Sequence, residues 1–282
     1  MDAPHRLVER IERMEGLDRY AKPLAAAVSR AVQPQVVRNA LSGANLGHPL
    51  HPVLKDGPIG AWTMSLLLDA VGGPESAQAA DLLVGAGIVT AVPAAAAGLN
   101  DWSDTTGEDT RVGLAHAAAN MTALSLFTAS FAARRAGHRG RGKALSLVGF
   151  GVLSVGGYLG GHLAFTRGVN VNRTAFERLP QRWTPVASGT EIYDGQPRSV
   201  TAGRASVLVY RDGDRLFALA NTCTHAGGPL NRGQIVDGCV VCPWHGSTFR
   251  LQDGSIVRGP ASTPQPAYDV RINDGQIEVR AR

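Results

Sequence analysis

The chain has 282 residues, 44% of them hydrophobic, with 28 Lys and Arg against 23 Asp and Glu and a net charge of +5, which is enough for two ordinary domains. A sequence pI near 9.4 raises the question of nucleic acid, but the charge is concentrated: Arg134, Arg135, Arg139, Arg141 and Lys143 form an acid-free cluster of five that equals the whole net charge, whereas residues 181–282 hold eleven basic against nine acidic side chains. A basic cluster confined to a short segment between apolar stretches fits a membrane-protein loop, not a nucleic-acid groove.

Residues 1–20 alternate charged and apolar side chains at helical spacing in place of the apolar core of a secretory signal peptide, and the segment 1–44 predicts two or three short amphipathic helices over residues 5–42, broken at Pro23 and Pro34 and lying on a membrane or against another domain. Residues 45–170 predict a four-helix transmembrane bundle with spans at about 57–73, 82–99, 112–133 and 144–166. The last three run about 18 residues or more without a charge, near the length an apolar helix needs to cross a bilayer. The first is shorter and contains Asp69, an expensive residue at a helix centre but a tolerable one near the end, with other helices to shield it. Because many of these residues are Ala and Gly, a soluble helical bundle is the alternative. The glycines at 156, 157, 160 and 161 give the small-x-x-x-small face that suits close packing in a membrane.

Four spans place the N-terminus, the loop between the second and third helices and everything after residue 170 on one side. His48, His51, Asp101, His116 and His162 all fall toward that side. Ionisable groups at membrane depth mark redox, proton or ligand paths, so His51, Asp101, His116 and His162 are expected to approach one another and to bind a b-type haem or a quinone head group. The alternative is that each caps a helix end. Lys and Arg asymmetry does not settle the orientation, since seven basic residues spread over the opposite loops oppose the cluster of five.

After a linker at 171–180 the pattern changes. Asp-Gly occurs at 212–213, 237–238, 253–254 and 274–275, each between short β-branched or alternating runs, the signature of hairpins. Residues 181–282 therefore predict a small all-β domain. Within it, Cys223 and His225 are two apart, Cys242 and His245 are three apart, and sixteen residues separate the pairs. Two thiolates and two imidazoles could hold a tetrahedral zinc or a [2Fe-2S] cluster in which one iron takes two Cys and the other two His. Ligand types alone do not choose.

The surrounding text, CTHAGG and CPWHGSTF, resembles the Rieske iron-sulfur family, whose loops read Cys-x-His and Cys-Pro-x-His-Gly-Ser. The resemblance implies that Cys223 and Cys242 hold a buried iron and that His225 and His245 hold an outer one. It also places Gly227, Pro243, Trp244, Gly246 and Ser247 around the cluster, with tight backbone packing and hydrogen bonds to its sulfurs. Cys239 falls outside the motif and is expected to be a buried thiol. Rieske proteins of respiratory cytochrome bc complexes add a disulfide between the loops and a Tyr two residues after the Ser, whereas Gly228, Trp244 and Phe249 stand at those positions here. Fewer hydrogen bonds to the cluster imply a potential in the lower half of the roughly −150 to +300 mV range. Rieske oxygenases need a further mononuclear iron domain, and about 37 residues follow His245, so electron carriage is expected instead of oxygen activation.

The text HPLHP, GPIGAW, LNDW, AHAAAN and YLGGHL over about residues 45–170 resembles a bacterial family of four-helix membrane domains of unestablished function, which is found fused to Rieske domains. Together the two resemblances imply a multi-pass protein of the bacterial cell membrane. It would pass single electrons to or from the quinone pool or a redox partner protein, with membrane lipid as its other partner. The absent loop disulfide suits a reducing compartment and favours a Rieske domain on the cytoplasmic face. The alternatives are a redox sensor whose cluster state acts on the membrane domain and a zinc-stabilised binding module.

Overall fold

The computed structural model describes residues 3–282, which form two compact units. One takes the described residues up to Gln33 together with Leu50–Val169, and the other takes Pro34–Pro49 together with Asn170–Arg282. The segment expected as one piece, 1–44, is thus divided between them. In chain order the helices are α1 (Ala3–Glu12), α2 (Asp18–Ala31), α3 (Gln35–Ser42), α4 (Leu50–Leu54), α5 (Asp56–Val71), α6 (Ala77–Trp102), α7 (Gly107–Arg135) and α8 (Arg139–Gly161).

All of these except α3 belong to the helical unit. Three stretches among the described residues, Pro74–Trp102, Gly107–Arg135 and Arg139–Thr166, are long and apolar enough to cross a membrane. The expected first span is not among them. Helix α5 has 16 residues, about 24 Å at 1.5 Å per residue, short of a hydrocarbon core of about 30 Å. It starts just after α4 and stops at Gly72-Gly73-Pro74, where Pro74 has no N–H to continue the helix. The expected break at Pro34 is present, since this residue caps α3. Helix α2 instead continues through Pro23.

Glycine in these helices makes room for rings. Trp62 stacks on Phe127 with centroids 4.1 Å apart, and a Cβ at Gly87 would meet its indole at 2.2 Å. Trp102 lies on Gly113 in the same way. Each indole N–H donates to a backbone carbonyl, Trp62 to Val84 at 3.2 Å and Trp102 to Thr110 at 3.0 Å. The amphipathic face of α1 packs through Val8 on Val112 and Leu159. Asp69 is buried against the Arg134 guanidinium, whose side chain is fully buried, and Arg139 bonds it at 2.8 Å. Asp81 takes the same two arginines at 2.9 and 2.7 Å, and Lys143 donates to the Asp69 carbonyl at 2.9 Å. Three members of the basic cluster are therefore committed to acids of α5 and α6.

In the second unit the strands are β1 (Thr184–Ser188), β2 (Arg198–Ala202), β3 (Ala205–Asp212), β4 (Arg215–Ala220), β5 (Gln234–Val236), β6 (Cys239–Val241), β7 (Thr248–Arg250), β8 (Ile256–Arg258), β9 (Ala267–Asn273) and β10 (Gln276–Ala281). They make two antiparallel sheets, ordered β1-β10-β9-β4-β3-β2 and β5-β6-β7-β8. Each of the four Asp-Gly pairs sits at a hairpin: β3–β4, β5–β6, β7–β8 and β9–β10. At Asp237-Gly238 and Asp274-Gly275 both residues have positive φ, as a type I′ turn requires. One core lies on the six-stranded sheet around Val207, Val209, Tyr268 and Val279. A second, with Leu208, Leu219, Leu230, Val240 and Phe249, lies beneath Cys223 and Cys242. Helix α3 belongs to this unit: Gln35 and Asn39 donate to the Val257 carbonyl at 2.8 and 3.1 Å, and the Gly259 N–H donates to Asn39 Oδ1 at 2.8 Å.

Candidate metal centre

Two loops carry the four candidate ligands, one between β4 and β5 and one between β6 and β7, and they repeat one backbone pattern. The Cys223 N–H donates to the Gly228 carbonyl at 2.9 Å and the Cys242 N–H to the Ser247 carbonyl at 2.8 Å. The Gly227 N–H donates back to the Cys223 carbonyl at 2.9 Å, and the Gly246 N–H to the Cys242 carbonyl at 3.1 Å. Both glycines are left-handed, at φ +85° and +72°, a conformation that costs other residues roughly 1–2 kcal/mol. The pattern curls each loop around its cysteine. The N–H groups of His225 and Ala226 then point at the Cys223 sulfur, and those of Trp244 and His245 at the Cys242 sulfur.

The two thiols are buried, each close enough to shift the other's ionisation. That contact and the backbone donors hold the Cys242 thiol down at about 7, while the neighbouring sulfur and burial push Cys223 up. One thiolate thus forms readily beside the other sulfur, and a cation would be needed to hold both ionised. The two imidazoles lie edge to face, with centroids 5.0 Å apart and planes crossed at 89°. Packing around His225 pushes its pKa down to about 3, helped by His245, Arg38 and Arg173, so it stands neutral, the form that binds metal.

The donors form a sulfur pair and a nitrogen pair, and among the described residues no three His, Cys, Asp or Glu side chains gather as one metal site. That division fits a two-iron cluster better than a single tetrahedral ion. Gly228 completes the cradle, since a Cβ there would lie 2.7 Å from the Cys242 sulfur and 3.1 Å from the Trp244 ring. The loops meet there through packing alone, and all three cysteines are free thiols. Cys239 is buried, with its sulfur 3.6 Å from the Asp237 carbonyl. Ser247 is fully buried, and its hydroxyl oxygen accepts the Ala261 N–H at 3.0 Å, which leaves its own hydrogen to donate. Phe249 is an apolar floor with no exposure. Pro243 and Trp244 are exposed, and the Trp244 ring lies 6.4 Å from that of His245. Beside His225 opens a cleft of about 190 Å³ lined by His48, Asn172, Thr224, His225, Ser262 and Thr263.

Several supports of this site are not evident from the motif. Buried Gln265 donates to the carbonyls of Ala220 and Thr222 at 2.7 and 2.6 Å and accepts the Thr224 N–H at 3.1 Å, fixing the first loop. Its setting between Pro264 and Pro266 is the one signal of a pinned backbone. The Asn221 side chain accepts the Asn231 N–H at 2.8 Å and closes the far end of the same loop. Arg38 is buried and comes from α3, far earlier in the chain, so spacing could not reveal it.

Of the four residues expected to converge in the helices, the structure pairs two. His51 and His116 lie with ring centroids 6.5 Å apart. His162 instead meets Glu12 at 3.1 Å, and Asp101 accepts from the Asn100 amide at 3.1 Å.

Comparison with known proteins agrees with both halves. Residues 182–269 match the Rieske [2Fe-2S] domain, and residues 47–173 match the family described as predicted membrane protein (DUF2231). The chain is 36% identical over 97 residues to the anthranilate 1,2-dioxygenase ferredoxin subunit of Burkholderia cepacia, covering 34% of this chain and 90% of that protein. It is 31% identical over 102 residues to ferredoxin CarAc of Metapseudomonas resinovorans, covering 36% and 95%. To the cytochrome b6-f complex iron-sulfur subunit of Chlorobaculum tepidum it is 32% identical over 94 residues, covering 33% and 51%. A Rieske domain binds a [2Fe-2S] cluster, and the paired thiols and imidazoles fit one. The chain belongs to the Rieske [2Fe-2S] family through its C-terminal domain, joined to a predicted membrane domain.

Proposed function

We propose that this protein is a membrane-anchored electron carrier that passes single electrons through a [2Fe-2S] cluster held by Cys223, Cys242, His225 and His245. The observation that carries this reading is the meeting of two buried thiols and two imidazoles, the latter 5.0 Å apart, on two loops of like design. When bound, such a cluster supplies a one-electron couple. The protein holds the sulfurs dry against the Leu219 and Phe249 side chains and orients backbone N–H groups at them. It leaves the edges of His225 and His245, with the exposed Trp244, as the port for a partner. The relatives named as ferredoxin subunits of dioxygenases support a redox partner protein, and the one named as a cytochrome b6-f subunit supports the quinone pool.

The three long apolar helices support anchoring in the bacterial cell membrane. We place α5 as a fourth, short span whose Asp69 is neutralised by Arg134 and Arg139, and the Rieske domain on the cytoplasmic face. The test is the low-temperature EPR spectrum of the detergent-purified chain, oxidised and dithionite-reduced, followed by stopped-flow reoxidation with a quinone analogue. A Rieske signal that reoxidises supports the carrier. A Rieske signal whose oxidation state changes conformation without turnover supports a redox sensor, and a colourless zinc protein overturns both.

A further inference from the structure

Two histidines of the helical unit are seated by one device used twice. His51 of α4 places Nδ1 2.8 Å from the Ala94 carbonyl on α6. Gly98, four residues further along α6, makes room for the ring, since a Cβ there would meet it at 2.9 Å. His116 of α7 places Nδ1 2.8 Å from the Gly156 carbonyl on α8. Gly160, again four residues on, makes the room, and a Cβ there would meet the ring at 2.8 Å. Trp62 and Trp102 rest on glycines too, but an indole has one nitrogen and spends it on its carbonyl. An imidazole that donates Nδ1–H keeps a lone pair on Nε2, the arrangement in which histidine ligates metals. The Asn120 amide nitrogen lies 3.3 and 3.2 Å from the two ring nitrogens of His116. A point so nearly equidistant lies along neither lone pair, and the amide donates to the His116 carbonyl at 2.8 Å.

The rings stand 6.5 Å apart at their centroids with planes crossed at 86°. A metal–imidazole bond of about 2.0–2.1 Å, with about 1.2 Å from nitrogen to ring centre, sets two trans rings about 6.4 Å apart. The spacing is therefore that of two imidazoles on opposite sides of one metal. An ion held by protein alone takes three or four protein ligands, and among the described residues no third His, Cys, Asp or Glu joins this pair in a metal site. A haem iron brings four equatorial nitrogens of its own and asks the protein only for axial ligands. We infer that His51 and His116 are the two axial ligands of one b-type haem in the helical unit. His162, held by Glu12, takes no part. This site stands on the helical unit alone and goes beyond the carrier reading of the Rieske domain.

The test uses the full chain purified in detergent, with a pyridine haemochrome assay, metal analysis and low-temperature EPR on one sample. The expected result is haem close to one per chain and a low-spin ferric signal. His51→Ala and His116→Ala should each lose that signal while His162→Ala keeps it. His51→Met guards against misfolding, because it should retain haem with altered, methionine-type axial spectra. Three results overturn the inference: no low-spin spectrum even on titration with haemin, an unchanged spectrum in both alanine variants, or stoichiometric metal without porphyrin. The Rieske signal is read separately on the same sample, so failure of the haem site and failure of the cluster reading are distinguished.

Discussion

Ser247 shows how one side chain can set the behaviour of the Rieske loops. Its oxygen accepts the Ala261 N–H at 3.0 Å, which orients its remaining hydrogen for the cluster sulfurs in the proposed site. Replacing it with Ala removes one hydrogen bond to a charged acceptor, about 1.5 kcal/mol. Only the part of that energy by which the bond favours the reduced, more negative cluster moves the midpoint potential, so for a one-electron couple the expected fall is up to about 60 mV, to be read in a dye-mediated titration. Cys223→Ser and Cys242→Ser should each abolish the visible and EPR signature outright, whereas Cys239→Ser should leave both in place, since its sulfur points to the Asp237 carbonyl. Spacing made the Cys and His pairs legible because tight loops put ligands close in sequence. It could not reveal Gln265, which reaches the first loop from the segment before β9, or Arg38, which comes from a helix far earlier in the chain.

At the scale of elements, helix ends were less legible than helix faces. The apolar run at 57–73 predicts a span, but Gly72-Gly73-Pro74 on one side and the α4–α5 break on the other leave a 16-residue helix. Its Asp69 is buried with Arg134, which also holds Asp81 at 2.9 Å, so removing Asp69 takes away one of the two acids that neutralise this guanidinium. Asp69→Ala should therefore cost about 1.5–3 kcal/mol, the worth of hydrogen bonds to a charged group, and lower the melting temperature in detergent, with Asp69→Glu tolerated better. At the other end of the unit, the hydrogen bonds from Arg111 and then Lys22 hold Asp18 at about 2, against an ordinary value of 3.8. A depressed carboxylate lends its stability above the ordinary value and loses it as pH falls through the folded one. The difference in melting temperature between the native chain and Asp18→Asn should thus be full at pH 7, shrink below about pH 4 and vanish only below about pH 2.

For the molecule as a whole, a sharp change of composition near residue 170 made two domains visible, and three apolar helices should keep the chain in the membrane pellet after an alkaline carbonate wash. What the composition hid is that residues 34–49 leave the helical unit for the Rieske unit, because nothing in an eight-residue amphipathic helix names its partner. Helix α3 is bonded to Val257 across 222 and 218 residues. A ribosome adding roughly 5–20 residues per second takes on the order of 10–40 s to make that interval. During all of it α3 has no strand to dock on, and so short a helix does not hold itself. The order of manufacture is therefore fixed: every apolar helix has emerged before the Rieske unit can close, and the first part of that unit to be synthesised is among the last to find its place.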